Sequence, residues 1–175
     1  ITTTKSCTTA FKGIFDGNGH TLNVNISGSG VQAPFLNVTD ATIKNLNVSG
    51  SVEGGLHAAG LIGAAKGTVN INNVRVSVNV KGAPSGGYSP HIGGFIGHKG
   101  DAKVNITDCL FDGSLTASSW NDSWGGAFVG WGNDNQVPMN RVYENGNYVN
   151  ILHAGMNYCI PGNAFGGSGS HAYSV

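Results

Sequence analysis

Three stretches of this chain repeat one another. AGLIGAAKGTVNINNVRVSVNV (59–80) returns as GGFIGHKGDAKVNITDCLFDGSL (93–115) and, more divergently, as GAFVGWGNDNQVPMNRVYENGNY (126–148). Gly63, Gly97 and Gly130 mark the same point in each, 34 and then 33 residues apart. Self-similarity at such a period predicts stacked units, each burying its apolar face only against its neighbours.

Within the unit, apolar residues alternate, skip a step and alternate again: Val69 and Ile71, then Val74, Val76, Val78 and Val80. Period two is a strand with one buried face, and the three-residue step from Ile71 to Val74 is a corner between two strands. Five segments fit this frame. The position before the corner holds Gly19, Ile43, Ile71, Ile106 and Met139. After it come Leu22, Leu46, Val74, Cys109 and Val142, spaced by 24, 28, 35 and 33 residues, then Val24, Val48, Val76, Phe111 and Glu144. Ile26, Gly50, Val78, Gly113 and Gly146 follow, then Gly28, Val52, Val80, Leu115 and Tyr148. A large apolar residue leads each coil: Phe35, Leu61, Phe95, Phe128 and Phe165.

No helical spacing is sustained anywhere, and Gly (29 residues) and Asn (20) punctuate every segment. The expected architecture is all-β: a right-handed parallel β-helix, or β-solenoid, of five to six coils. Its hand follows the rule for strand-to-parallel-strand crossovers. Residues 1–175 read as one such domain: first coil and N-terminal cap over 1–28, repeating coils over 29–149, and a last partial coil with C-terminal cap over 150–175. The opening ITTTKSCTTA, with no Met and no leader, reads as part of a larger protein. Glu144 falls at an inward position, for which a register slip in the last coil is the expected explanation.

Net charge is zero and 10% of residues are charged, so no basic stripe is available for nucleic acid or anionic membranes. No apolar run is long enough to span a bilayer. Cys7, Cys109 and Cys159 fit no metal spacing and are expected to be reduced, Cys109 in the core. No cofactor or metal is implied.

FKGIFDGNGHTLNV (11–24), the GLIG and GGFIG segments and INNVRVSVNV together resemble the GLUG-type repeats of bacterial secreted and cell-surface proteins. DGNGHTL is also similar to the opening coil of pectate-lyase-like β-helices. The resemblance implies a bacterial, exported, non-catalytic module joined to flanking domains of the same polypeptide. It also implies that the Asn-X-Ser/Thr triplets at Asn25, Asn37, Asn47, Asn105 and Asn121 are β-helix composition rather than glycan acceptors.

Two corner loops lengthen on adjacent coils, KGAPSGGYSPHI (81–92) and TASSWNDSW (116–124). They carry Tyr88, His91, Trp120, Asn121, Asp122 and Trp124. Flat rings beside amides and carboxylates suit a sugar, whose C–H face packs on the ring while its hydroxyls pair with polar groups. The expected partner is a glycan or a host or cell-surface ligand. The simpler alternative is that Trp120 and Trp124 cap a sheet edge. Lys66, His98, Lys99, Asp101, Trp131 and Asp134 are assigned to the opposite corner, with His98, Asp101 and Asp134 in turns. Asn45 and Asn73 are expected to stack as an amide ladder in a column Thr21, Asn45, Asn73, Asp108 and Arg141, with Asp108 and Arg141 paired as ions. A lyase or hydrolase would need Arg75 or Arg141 with Asp108, Asp112 or Asp122, but no Asp-rich calcium cluster and no paired-Asp or Gly-His-Gly pattern accompanies them. A spacer without ligand is the third possibility. An ice-binding face is set aside because the threonines form no column.

Overall fold

The valine run of the repeat becomes the longest strand of the molecule for the reason its spacing gives: Val69, Ile71, Val74, Val76, Val78 and Val80 are each at most 1% exposed, and the residues between them face outward. Each such side chain contributes roughly 1.5–3 kcal/mol when fully buried. The computed structural model describes residues 1–83, 91–117, 124–132, 137, 139–140, 142–144 and 147–149. Among them there is no helix.

The first pass of the chain holds β1 (Thr2–Thr3), β2 (Phe11–Asp16) and β3 (Thr21–Gly28). The second is β4 (Phe35–Gly54), and the third is β5 (His57–Ala59) with β6 (Ile62–Gly82). The fourth breaks into β7 (His91–Gly93), β8 (Ile96–Gly100), β9 (Lys103–Thr107), β10 (Leu110–Phe111) and β11 (Ser114–Ala117). The fifth holds β12 (Trp124–Gly126), β13 (Val129–Gly132), β14 (Met139–Asn140), β15 (Val142–Glu144) and β16 (Asn147–Val149).

Successive passes pair in parallel over most of their length, β2 and β3 on β4, β4 on β6, and β6 on β8, β9, β10 and β11. β5, β7 and β12 form a separate three-stranded parallel sheet. Between them lies one apolar core, running from Val24 and Ile26 to Phe128 and Val137.

From Leu46 onward the inward columns stand as the sequence predicts: Leu46 pairs with Val74, Val48 with Val76, Val52 with Val80, and Phe111 and Leu115 continue them. The first pass differs. Leu22 pairs with Val48 rather than standing beside Leu46, Ile26 pairs with Val52, and the place beside Ile43 belongs to Phe15 instead of Gly19. Gly17 to His20 form an extra tight turn at the corner, closed by the His20 amide on the Gly17 carbonyl, which displaces the following strand by two residues. Phe35 likewise pairs with Ile62, one place along from Leu61, and packs against Phe11 and Phe15 at ring separations of 5.5 and 5.2 Å.

The last pass also departs from the frame. Glu144 keeps its register opposite Phe111, so no slip occurs there. The chain then turns back, and β16 runs antiparallel to β15, Glu144 opposite Asn147. Gly146 and Phe165 lie outside the described residues.

The corner itself is built by residues with left-handed backbone. Asn45, Asn73 and Asp108 have φ of 52°, 52° and 54°, a conformation that Asn and Asp tolerate better than other side chains. The Asn73 amide donates to Asn45 Oδ1 at 2.9 Å, and the Asn45 amide donates to Asp16 Oδ1 at 3.0 Å. The expected ladder therefore exists, but Asp16 begins it rather than Thr21, which pairs with Asn47. Asn45, the Asn18 amide and Lys44 together hold the Asp16 carboxyl below the usual carboxylate range. Arg141 lies outside the described residues. Replacing Asn73 with Ala removes the bond and leaves a poorly tolerated φ, so Asn73→Ala should cost about 2 kcal/mol, and Asn73→Gly, which restores backbone freedom, clearly less. Urea unfolding of the two variants separates the contributions; equal losses would show that the backbone conformation is immaterial.

One glycine is indispensable. Gly50 has φ of 113° and pairs between Val24 and Val78, and a Cβ there would run into the Val24 carbonyl oxygen. The free thiols are as expected for the two described cysteines, Cys7 exposed and Cys109 buried, with burial pushing the Cys109 thiol up to about 12. Cys159 lies outside the described residues.

Candidate functional site

The site grows from the short segments that open each pass, GLHAAGLIG, SPHIGGFIG and SWGGAFVG. In each, a three-residue strand leads into a sharp turn and a second strand that folds back beside the first. Gly94 permits the turn, because a Cβ there would strike the Ala127 carbonyl and the Phe111 ring. Inside the turn, Leu61, Phe95 and Phe128 are wholly buried, with the rings of Phe95 and Phe128 5.3 Å apart.

The strand before the turn places His57, His91 and Trp124 in one register column. The strand after it places Ala64, His98 and Trp131 in a second. The two columns share one aromatic stack. His57 lies 4.6 Å from His91 and 4.9 Å from His98, with interplanar angles of 16° and 5°. Trp131 lies 4.7 Å from His98 and 5.2 Å from His91, at 11° and 10°. Ala64, only a methyl group wide, leaves room for the His57 ring to reach His98.

The imidazoles are half-buried, and Nδ1 of both His57 and His91 is closed off from water with no hydrogen-bond partner. Burial, then the neighbouring His98, drives His57 down to about 4, with the Leu56 carbonyl pulling the other way. Burial and the neighbouring His57 and His98 drive His91 to about 3. His98 is also lowered by burial, against an opposing pull from Asp101. At neutral pH the stack is uncharged. Beside it runs a shallow groove of about 400 Å³ bordered by Lys66, Gly67, His98, Gly100 and Asp101.

Of the six loop residues expected to bind, the structure brings His91 and Trp124 to adjacent positions of one column. Tyr88, Trp120, Asn121 and Asp122 lie outside the described residues, as does Asp134. His91 does not sit across the molecule from His98 and Trp131: the three rings are in contact, because β7 and β8 fold back on each other around Gly93 to Phe95. His98 is also a strand residue of β8 rather than a turn residue, since GHKG continues the strand that begins at Ile96. His57 was not singled out by the sequence reasoning, although its 34-residue distance to His91 repeats the glycine spacing and marks it.

On the outer face of β6, Arg75 donates to Asp112 through Nε at 3.0 Å and Nη2 at 2.5 Å, and Ser77 Oγ donates to the other carboxylate oxygen. Burial pushes the Asp112 carboxyl up, but Arg75 and Ser77 outweigh it and hold it below the usual range. In return Asp112 raises the Arg75 pKa. A guanidinium bound this way surrenders its proton less readily than a free one, which is the opposite of what proton abstraction from a sugar demands. Among the described residues, no three His, Cys, Asp or Glu side chains converge as metal ligands would.

No family model, no curated protein and no solved structure matches the chain.

Proposed function

We propose that the chain is a right-handed parallel β-helix of the GLUG-repeat kind, acting as a non-catalytic module of a bacterial secreted or surface protein and binding carbohydrate at one corner. The parallel pairing of consecutive passes, with the same apolar columns in each, supports the winding. One observation carries the binding: the connections that lead into β7 and β12 end side by side, at His91 and Trp124 of a single column. We assign the sugar contacts to Tyr88, Trp120, Asn121 and Asp122 of these same connections, with the stack, whose rings are uncharged at neutral pH, as the surface they would complete. An apolar ring surface ringed by amides and carboxylates holds a sugar by its C–H face and its hydroxyls.

The experiment is a glycan array with wild type, Trp120→Ala, Trp124→Ala and the double variant. Binding by wild type that drops at least tenfold in the double variant is the expected result. Identical profiles would remove the loops as the site, and an empty array for all four proteins would favour a spacer.

A further inference from the structure

The histidine stack has a property independent of any ligand. Its three imidazoles and one indole lie nearly parallel, and three of its five contacts join strands that the hydrogen-bond ladder does not pair: β5 to β8, β7 to β13, and β7 to β8. The stack thus adds a side-chain fastening between the small three-stranded sheet and the large one, beside the apolar core they share. It tolerates only neutral rings. A proton on Nδ1 of His91 would be a buried donor without an acceptor, and a second positive ring, on His57, would sit within about 5 Å of the first.

The charged groups on the elements packed around it offer little relief. Among the described residues these are Lys66 on β6, Lys99 on β8, Asp101 just beyond it, and the Glu53–Lys81 pair where β4 and β6 end. Among the described residues, Asp101 is the carboxylate that favours a charged ring, and it acts on His98 alone.

We propose that the stack of His57, His91, His98 and Trp131 is an acid-operated latch, which holds β5 and β7 against β8 and β13 at neutral pH and lets that corner open when the imidazoles take up protons. The inference stands whether or not the neighbouring loops bind a sugar. The sign follows from proton counting. An unfolded histidine titrates near 6.5, whereas in the closed corner His57 and His91 remain neutral down to about 4 and about 3. Between those values the open form holds more protons, so closure is complete above the unfolded value and weakens steadily as pH falls.

Amide hydrogen exchange, corrected for the intrinsic effect of pH, reads this directly. Going from about pH 7 to about pH 4.5, protection of residues 57–64 and 91–98 should fall by at least about a hundredfold, the change that one such imidazole brings, and by roughly the square of that where His57 and His91 are freed together. Protection along β4 and the valine run of β6 should change little. His57→Phe/His91→Phe, which keeps flat rings and removes two protonation sites, should retain protection in acid. Equal loss in wild type and variant, or none in wild type, would overturn the proposal. If the double variant does not fold, NMR titration of the wild-type imidazoles decides: His57 and His91 titrating well below 6.5 support the latch, and ordinary values end it.

Discussion

Gly50→Val should abolish most of the stability of this protein. At φ of 113° a β-branched residue is a backbone outlier, and the added side chain meets the Val24 carbonyl oxygen of the preceding pass and the Asn23 side chain beside it. The exposed Asn23 side chain can swing aside, but the Val24 carbonyl cannot. Val24 is buried and in the parallel ladder, so relieving the clash means parting β3 from β4. A loss of at least about 4 kcal/mol is expected, most of what a domain of this size has to lose. Chemical denaturation measures it, and an unchanged midpoint would mean that the backbone at residue 50 is not the one described here. Gly50→Ala, with the same φ conflict and less bulk, should fall between wild type and the valine variant.

Phe95→Ala should cost about 3–5 kcal/mol. The ring is wholly buried within the turn between β7 and β8 and stacks on Phe128 of the next pass. Backbone bonds tie residue 95 to the passes on both sides, the Phe95 amide donating to the Ala127 carbonyl and the Ile62 amide to the Phe95 carbonyl, so the cavity cannot close by simple collapse. Ile14 provides the contrast. It is 70% exposed, and Ile14→Ala should change stability by no more than about 0.5 kcal/mol. Comparable losses at the two positions, in urea unfolding followed by circular dichroism, would contradict the assigned core.

The pattern of agreement between sequence and structure has a physical basis. Alternation reports which face a side chain takes, and for Leu46 to Val52, Val74 to Val80 and Phe111 to Leu115 that was enough to set the register. It cannot detect a displacement of two residues, because such a shift leaves every inward residue inward. Alternation alone therefore sets Leu22 beside Leu46, because the extra turn at Gly17 to His20 moves the strand by an even number. Phe35 was misplaced for a related reason, since Leu61 and Ile62 are both buried at the turn and alternation gives no choice between them. The aromatic stack was hidden more thoroughly. His57 and His91 precede a sharp turn, His98 and Trp131 follow it, and only the fold-back of the two strands brings them together. Of the expected site, the column joining His91 to Trp124 could be derived from the repeat period, whereas the rings around His91 required the path of the chain through the turn.

The ion pairs of the outer wall have a consequence for encounters with other molecules. Lys44 with Asp16, Arg75 with Asp112 and Lys81 with Glu53 each unite residues on consecutive passes, so opposite charges cancel within a few ångströms. A wall of such short dipoles projects almost no potential past a Debye length, about 8 Å in physiological salt. On the wall these described pairs make, association should proceed at the unguided pace of about 10⁵–10⁶ M⁻¹s⁻¹, scarcely altered by added salt. Selectivity on this surface is then a matter of how long a visitor stays, governed by fit at close range.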